Sequence, residues 1–119
     1  MDDELTAVND LIEALSTSGI PFARDAWWDE NNALDGQDYG VVELTGSPVS
    51  LWGDNELIEQ CIQGNIYLYV ADGADDKAKA AQDIMRAQKL SFILNKSEYL
   101  MAENKNRWTW SFSMHRYFL

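Results

Sequence analysis

Basic residues, cysteine and histidine are scarce in this chain, and each shortage argues against a class of protein. Nine Lys and Arg stand against twenty Asp and Glu in 119 residues, which gives a net charge of −11. Proteins that bind nucleic acids neutralise phosphates with clustered Lys and Arg, so we expect no sequence-specific binding to DNA or RNA. The single cysteine, Cys61, cannot form an internal disulfide, and the single histidine, His115, cannot build a common zinc site. We therefore expect no metal and no cofactor.

Long apolar runs are also missing. None approaches the roughly 20 residues that a membrane-spanning helix needs, and the acidic start, Met-Asp-Asp-Glu, is unlike a signal peptide. The hydrophobic fraction of 46% and the charged fraction of 24% are typical of a globular domain. We therefore expect a soluble protein without a membrane partner, formed by residues 1–119 as a single domain.

The motifs of common active sites are absent as well. The glycines have neither the spacing nor the lysine of a phosphate-binding loop, and the acidic cluster at 72–76 lacks the order of a calcium loop. This cluster fits a helix start instead, where aspartates stabilise free N–H groups. Cys61 and His115 are the only candidates for a nucleophile and its nitrogen base, and we interpret them as a structural thiol and a surface or interface histidine. We expect no enzymatic activity.

The end of the chain contains a clear strand signal. From Arg107 to His115 the sequence reads RWTWSFSMH, in which large apolar residues alternate with polar ones. Such alternation sends successive side chains to opposite faces of a sheet. We expect a helix to cover the apolar face, while the hydroxyl face can remain in water.

The remaining chain predicts two helices and further strands. Asp2 and Asp3 can cap a first helix that stops at Gly19, and a second helix follows the acidic cluster and ends near Lys89. A short strand pair, Tyr39 to Leu44 with Val49 to Trp52, is predicted as a hairpin, followed by a long strand from Gln60 to Ala71 with a bulge or bend at Gly64. A short apolar piece at 92–94, a strand at 98–103 and the terminal strand complete the chain, the last two as a second hairpin. The predicted fold class is α+β: a mainly antiparallel four- to five-stranded sheet with two helices packed on one face.

Aromatic residues are the candidates for contacts with other proteins. Trp27 and Trp28 are adjacent within an acidic loop at 24–38 that we expect to be mobile, and Trp52 stands beside Gly53 and Asp54. Tryptophan often anchors protein interfaces, although these rings could equally cover the core. The predicted interface residues are the three tryptophans and the acidic residues of the loop: Trp27, Trp28, Trp52, Asp25, Asp29 and Glu30.

Three passages resemble the tail-completion or tail-terminator proteins of long-tailed, non-contractile phages and prophages. They are LTAVNDLIEALSTSGIPFARDAW (5–27), CIQGNIYLYVADGADDKAKAAQDIMRAQ (61–88) and SEYLMAENKNRWTWSFSMH (97–115). Similar features in the family are a short first helix ending near Gly-Ile-Pro, a strand leading through an acidic turn into the second helix, and a Trp-rich last hairpin. These three passages make up about three fifths of the chain, but none is as specific as a metal-binding or nucleotide-binding motif.

The resemblance implies a structural protein of the virion, at the junction of head and tail, assembled in the cytoplasm of a host bacterium. Its partners would be further copies in a ring, commonly of six, together with the tail tube protein and head connector proteins. The family provides no catalytic residues to carry over. Three alternatives remain: a head-closure or minor head-tail connector protein, a small acidic protein-binding module that mimics DNA, and an enzyme subunit or small hydrolase, for which Cys61 and His115 are the pair to test.

Overall fold

The structure is a computed structural model that describes residues 4–24, 38–45, 49–53, 56–71, 74–101 and 104–117. Within these ranges the chain forms two helices and six strands. In chain order they are α1 (Glu4–Ser16), β1 (Phe22–Arg24), β2 (Tyr39–Leu44), β3 (Val49–Gly53), β4 (Glu56–Val70), α2 (Ala74–Ala87), β5 (Ser91–Leu100) and β6 (Lys105–Tyr117). The α+β class is confirmed, with a mixed and mostly antiparallel sheet and two helices.

The long strand β4 forms the centre of the sheet, because its fifteen residues pair along both edges. β6 runs antiparallel along one edge, and β2 and β3 share the other. β1 joins β2 in parallel, and β5 joins β6 antiparallel. The strand order is therefore β1-β2-β4-β6-β5, with β3 also beside β4. Among the described strands, β5 has β6 as its one neighbour.

The predicted hairpin of β2 with β3 is wrong. β2 pairs with the second half of β4, from Gly64 to Tyr69, whereas β3 pairs with its first half, from Glu56 to Cys61. The two short strands therefore lie end to end along one edge of β4. β4 is long enough to satisfy the backbone hydrogen bonds of both strands, and β3 forms its hairpin with β4 instead.

Gly64 has a different role from the predicted bulge or bend. The pairing of β4 with β6 keeps its register through Gly64, and the irregularity of β4 lies in its pairing with β3, between Leu51 and Trp52. A Cβ atom at Gly64 would lie 2.1 Å from the Glu43 carbonyl oxygen and 2.9 Å from the Phe112 ring. Gly64 therefore allows β2 and the Phe112 side chain to approach β4 closely.

α1 ends at Ser16, and Gly19 closes the turn after it, as the sequence predicted. Gly19 has a φ of +92°, the left-handed conformation that glycine adopts at little cost. The hydroxyl of Ser16 donates to the Ile12 carbonyl over 2.8 Å and also accepts from the backbone N–H of Phe22 over 3.2 Å. One serine therefore stabilises the last turn of α1 and positions the start of β1.

The second hairpin is confirmed, but its first strand is longer than predicted. β5 is continuous from Ser91 to Leu100, where the sequence indicated two separate pieces. A register shift between Leu94 and Lys96 leaves Asn95 as an extra residue opposite β6. This bulge interrupts the alternation of side chains, which explains why the sequence pattern looked discontinuous.

Both helices pack against the same face of the sheet. The apolar positions of β6 point to this face as predicted: Trp110 and Phe112 are buried, and Trp108 and Met114 are half-buried against the core. The Trp110 Nε1–H donates to Gln82 Oε1 on α2 over 3.0 Å. The buried side chains of this single core are Ala7, Val8, Leu11, Leu15, Ile20, Phe22, Val42, Ile62, Ile66, Leu68, Val70, Ala78, Ala81, Met85, Leu90, Trp110 and Phe112. In the described part of the chain, no helix is long and apolar enough to cross a membrane.

Candidate interaction surfaces

A cluster of tyrosines and charged groups lies on the sheet face opposite the helices. We refer to this face as the second face. The Tyr39 and Tyr69 rings stack with centroids 4.5 Å apart, and the Lys105 ammonium lies 4.6 Å from the Tyr39 centroid. The Arg107 guanidinium lies 5.8 Å from the centroid of the Tyr67 ring. Strand alternation places these side chains together, because β2, β4 and β6 are neighbours in register.

The second face is less exposed to solvent than the sequence indicated. Val41, Lys105 and Thr109 are buried on it, although alternation alone predicted that the polar side of β6 could stay in water. Lys105 is covered by the ring of Tyr39, and Thr109 lies directly opposite Tyr67 in register. Long aromatic and cationic side chains on neighbouring strands therefore shield parts of this face from water.

Glu43 is the hydrogen-bond acceptor of this cluster. Its Oε1 accepts from the Asn65 amide and from the Tyr67 hydroxyl, each over 3.2 Å. Burial, followed by the negative charge of Glu43, raises the pKa of Tyr67. Tyr67 is thus held in its neutral form as a hydrogen-bond donor.

Arg107 forms an ion pair with Glu98 across β5 and β6. The hydrogen bond from Arg107 is the main cause that lowers the pKa of Glu98, and the same bond raises the pKa of Arg107. Lys96 adds a second contact to Glu98 over 3.3 Å. Both partners of the Arg107–Glu98 pair therefore stay charged at neutral pH, with Glu98 between two cations.

Asp38 connects three parts of the fold just before β2. It accepts a hydrogen bond from the Ala71 backbone N–H over 3.0 Å and forms an ion pair with Lys77 of α2. Burial by itself raises the pKa of Asp38, but the bonds from Lys77 and Ala71 outweigh it, so the pKa is lowered. Asp38 is a structural clamp between β2, the end of β4 and α2.

A depression of about 430 Å³ extends across three successive strands of the sheet, β4, β6 and β5. Its lining carries hydroxyl and amide groups beside apolar carbon, and none of the lining residues titrates. The residues are Thr45, Gln63, Gly64, Asn65, Ser91, Phe92, Ile93, Ser111, Phe112 and Ser113. Such a surface can form hydrogen bonds with another protein, but its own side chains supply no general acid or base.

Large apolar side chains are exposed along the sheet edge formed by β5. Ile93 is 69% exposed, Leu94 42% and Tyr99 55%, and Met101, just after the strand, is 86% exposed. Among the residues whose side-chain exposure the structure describes, the exposed large hydrophobic side chains all fall between positions 93 and 101. We refer to residues 91–101 as the β5 edge. Exposed apolar residues that gather at one place are typical of contact surfaces.

Most of the predicted interface residues lie outside the described residues. This applies to Asp25, Trp27, Trp28, Asp29 and Glu30. Trp52 lies on β3, where its backbone is paired with Leu57 of β4. Their role as contact residues therefore stays a prediction. The sequence did not reveal the β5 edge, because strand order decides which strand lies at the border of a sheet, and among the described strands β5 pairs with β6 alone.

Register brings together the two residues that the sequence singled out for chemistry. Cys61 on β4 and His115 on β6 are direct partners across the two strands. The Cys61 thiol is half-buried, and its Sγ accepts a hydrogen bond from the Gln63 amide over 3.9 Å. Within the described residues, no three His, Cys, Asp or Glu side chains gather as metal ligands.

The structure is an α+β fold with both helices on one face of the sheet. Its β5 edge and its depression are surfaces of a kind that suits contacts with other proteins. No protein-family model and no curated protein matches the sequence.

Proposed function

We propose that this chain is a tail-completion or tail-terminator protein of a long-tailed phage or prophage, which ends the tail tube and joins it to the head connector. The three passages that resemble this family carry the proposal. They fold as α1 followed by the left-handed Gly19, as β4 leading into α2, and as the β5–β6 hairpin with its two tryptophans. The element order of the chain is thus the order that the resemblance implies.

In this proposal the protein acts by contact and not by catalysis. Its partners are further copies in a ring, commonly of six, the tail tube protein below and head connector proteins above. A ring needs a heterologous interface that closes after a fixed number of subunits. Two surfaces can form such contacts: the depression of about 430 Å³, which is lined by hydrogen-bonding groups, and the apolar β5 edge. The site of action is the head-tail junction of the virion, assembled in the host bacterial cytoplasm.

The negative net charge of the protein is compatible with a position at the head-tail junction. Each copy carries −11, and six copies carry −66 in total. A channel lined by negative charge repels the phosphates of DNA, so that DNA can pass without adhering. The same charge fits the DNA-mimic alternative, and the head-closure alternative shares the size and neighbours of the preferred function. The effect of the protein on the growth of the tail tube distinguishes a tail terminator from a DNA mimic and from a head-closure protein.

The test is the effect of the purified chain on tube growth. The tail tube protein of the same phage or prophage is allowed to polymerise with and without the chain, and tube lengths are measured by negative-stain electron microscopy. Because a terminator occupies the growing end, a small molar fraction of the chain should shorten the tubes and appear at one end of each. A connector that binds only the head side, or a DNA mimic, would leave tube lengths unchanged.

Matched variants identify the contact residues. Replacing Trp27 and Trp28 by Ala should abolish the effect on tube length if these rings anchor the contact. Asn9→Ala, at an exposed position of α1, is the control and should act like the unchanged chain. Full activity of the double variant would remove the two tryptophans from the proposed interface.

A further inference from the structure

In the described part of the chain, the ten residues of β5 have a strand partner on one side only. β5 pairs with β6 only, among the described strands, so its outward N–H and C=O groups face away from the sheet. Proteins usually protect long edge strands with charges, prolines or covering segments, because an unpaired edge can pair with another strand. β5 contains no proline, its two charged residues Lys96 and Glu98 are opposite in sign, and it carries the exposed side chains of Ile93, Leu94 and Tyr99.

We propose that β5 pairs antiparallel with β5 of a second copy of this chain, about a two-fold axis at Ser97. The two sheets then form one continuous sheet with all helices on one side. This inference goes beyond the proposed function, because a two-fold contact uses the same patch on both copies and closes after two subunits. A ring needs a further interface elsewhere on the molecule.

Charge complementarity selects this register. With Ser97 on the axis, Lys96 lies opposite Glu98 of the second copy, and the pair occurs twice. Lys96 and Glu98 both point to the second face, since their partners on β6 are Thr109 and Arg107. A shift of the centre by one residue either way puts Lys96 opposite Lys96 or Glu98 opposite Glu98. Like charges directly opposite each other are unfavourable, so these shifted registers are disfavoured.

The apolar side chains match in the same register. The bulge at Asn95 places two residues of one copy opposite one residue of the other, and the pairs beyond it become Leu94 with Tyr99 and Ile93 with Leu100. Leu94 and Tyr99 share the helix side of the sheet, and Ile93 and Leu100 share the second face. Both apolar pairs therefore join side chains on the same face. The bulge that interrupts β5 thus brings the exposed apolar residues into contact.

Cross-linking tests the axis directly. Directly opposite residues in antiparallel strands have Cβ atoms about 4.5–5.5 Å apart, close to what a disulfide needs. In a Cys61→Ser background, Ser97→Cys should give a covalent dimer on a non-reducing denaturing gel after mild oxidation. Ser91→Cys, also an exposed serine of β5 but distant from the axis, should give none. No dimer from Ser97→Cys, or equal amounts from both variants, would overturn the proposal.

Charge reversal tests the register independently. Lys96→Glu puts like charges opposite each other twice and should weaken dimerisation at least about tenfold in sedimentation equilibrium. Within the chain it removes the Lys96 contact to Glu98 but keeps Arg107 as the partner of Glu98, and circular dichroism checks that the variant is folded. Mixing it with Glu98→Lys should restore a dimer that contains one copy of each variant. Unchanged dimerisation of a folded Lys96→Glu variant would contradict the register. The readout is association in solution, so it is independent of tube growth.

Discussion

At the scale of single residues, Lys89 carries a conformational cost that the sequence did not reveal. Its φ is +60°, and it ends α2 as the left-handed residue: its N–H bonds to the Arg86 carbonyl, and the next N–H, of Leu90, bonds to the Met85 carbonyl. Glycine is the usual residue at this position of a helix end. The sequence predicted where α2 ends but not that a lysine would adopt this conformation.

Lys89→Gly should therefore stabilise the protein by about 0.5–1 kcal/mol, since the strain of the left-handed lysine exceeds the extra unfolded-state entropy of glycine. Lys79→Gly is the matched control, because Lys79 is exposed inside α2, where glycine should cost about 1 kcal/mol. Urea unfolding followed by circular dichroism measures both. A destabilised Lys89→Gly variant would mean that the Lys89 side chain makes a contact worth more than the strain.

At the scale of elements, a side-chain hydrogen bond joins α2 to β6 at the border of the core. Trp110 is fully buried, and its Nε1–H has Gln82 as acceptor. Gln82→Met keeps the length of the side chain but leaves the indole N–H unpaired, which should cost about 1–3 kcal/mol. Gln88→Met, at an exposed position beyond the end of α2, should change stability little. Equal urea midpoints for the two variants would show that the indole N–H finds another acceptor.

The same scale shows how much of the fold was predictable. β2 has the predicted bounds, and the faces of β6 follow the predicted alternation, because both depend on residues near in sequence. Strand pairing was not predictable in the same way: β3 pairs with β4 and not with β2, since the length of β4 decides which edges are available. The second-face cluster likewise depends on a register that joins Tyr39, Tyr69 and Arg107 from three strands. The charged and apolar match along the β5 edge becomes visible only once the bulge at Asn95 is located.

At the scale of the whole molecule, net charge opposes every contact between copies. Each chain carries −11, so subunits that approach one another repel at long range. The Debye length falls from about 10 Å at 0.1 M salt to about 3 Å at 1 M, which removes most of this repulsion but leaves apolar contacts intact. Assembly of the ring should therefore be favoured by salt, in contrast to a complex held by opposite charges.

Light scattering over a wide concentration range, at low and at high salt, measures this dependence. We expect a mass that rises with salt towards six subunits for the ring alone, or towards twelve where each copy also pairs at its β5 edge, since the ring of the proposed function must form against a total charge of −66. A mass that stops at two subunits would agree with pairing at the β5 edge alone and would require the tail tube protein to induce the ring. A mass of one subunit in every condition, with or without the tube protein, would contradict the ring and favour the acidic binding module. Because charge acts on all interfaces while the register of β5 depends on Lys96 and Glu98, comparing the Lys96→Glu variant in the same series separates the long-range repulsion from the local contact.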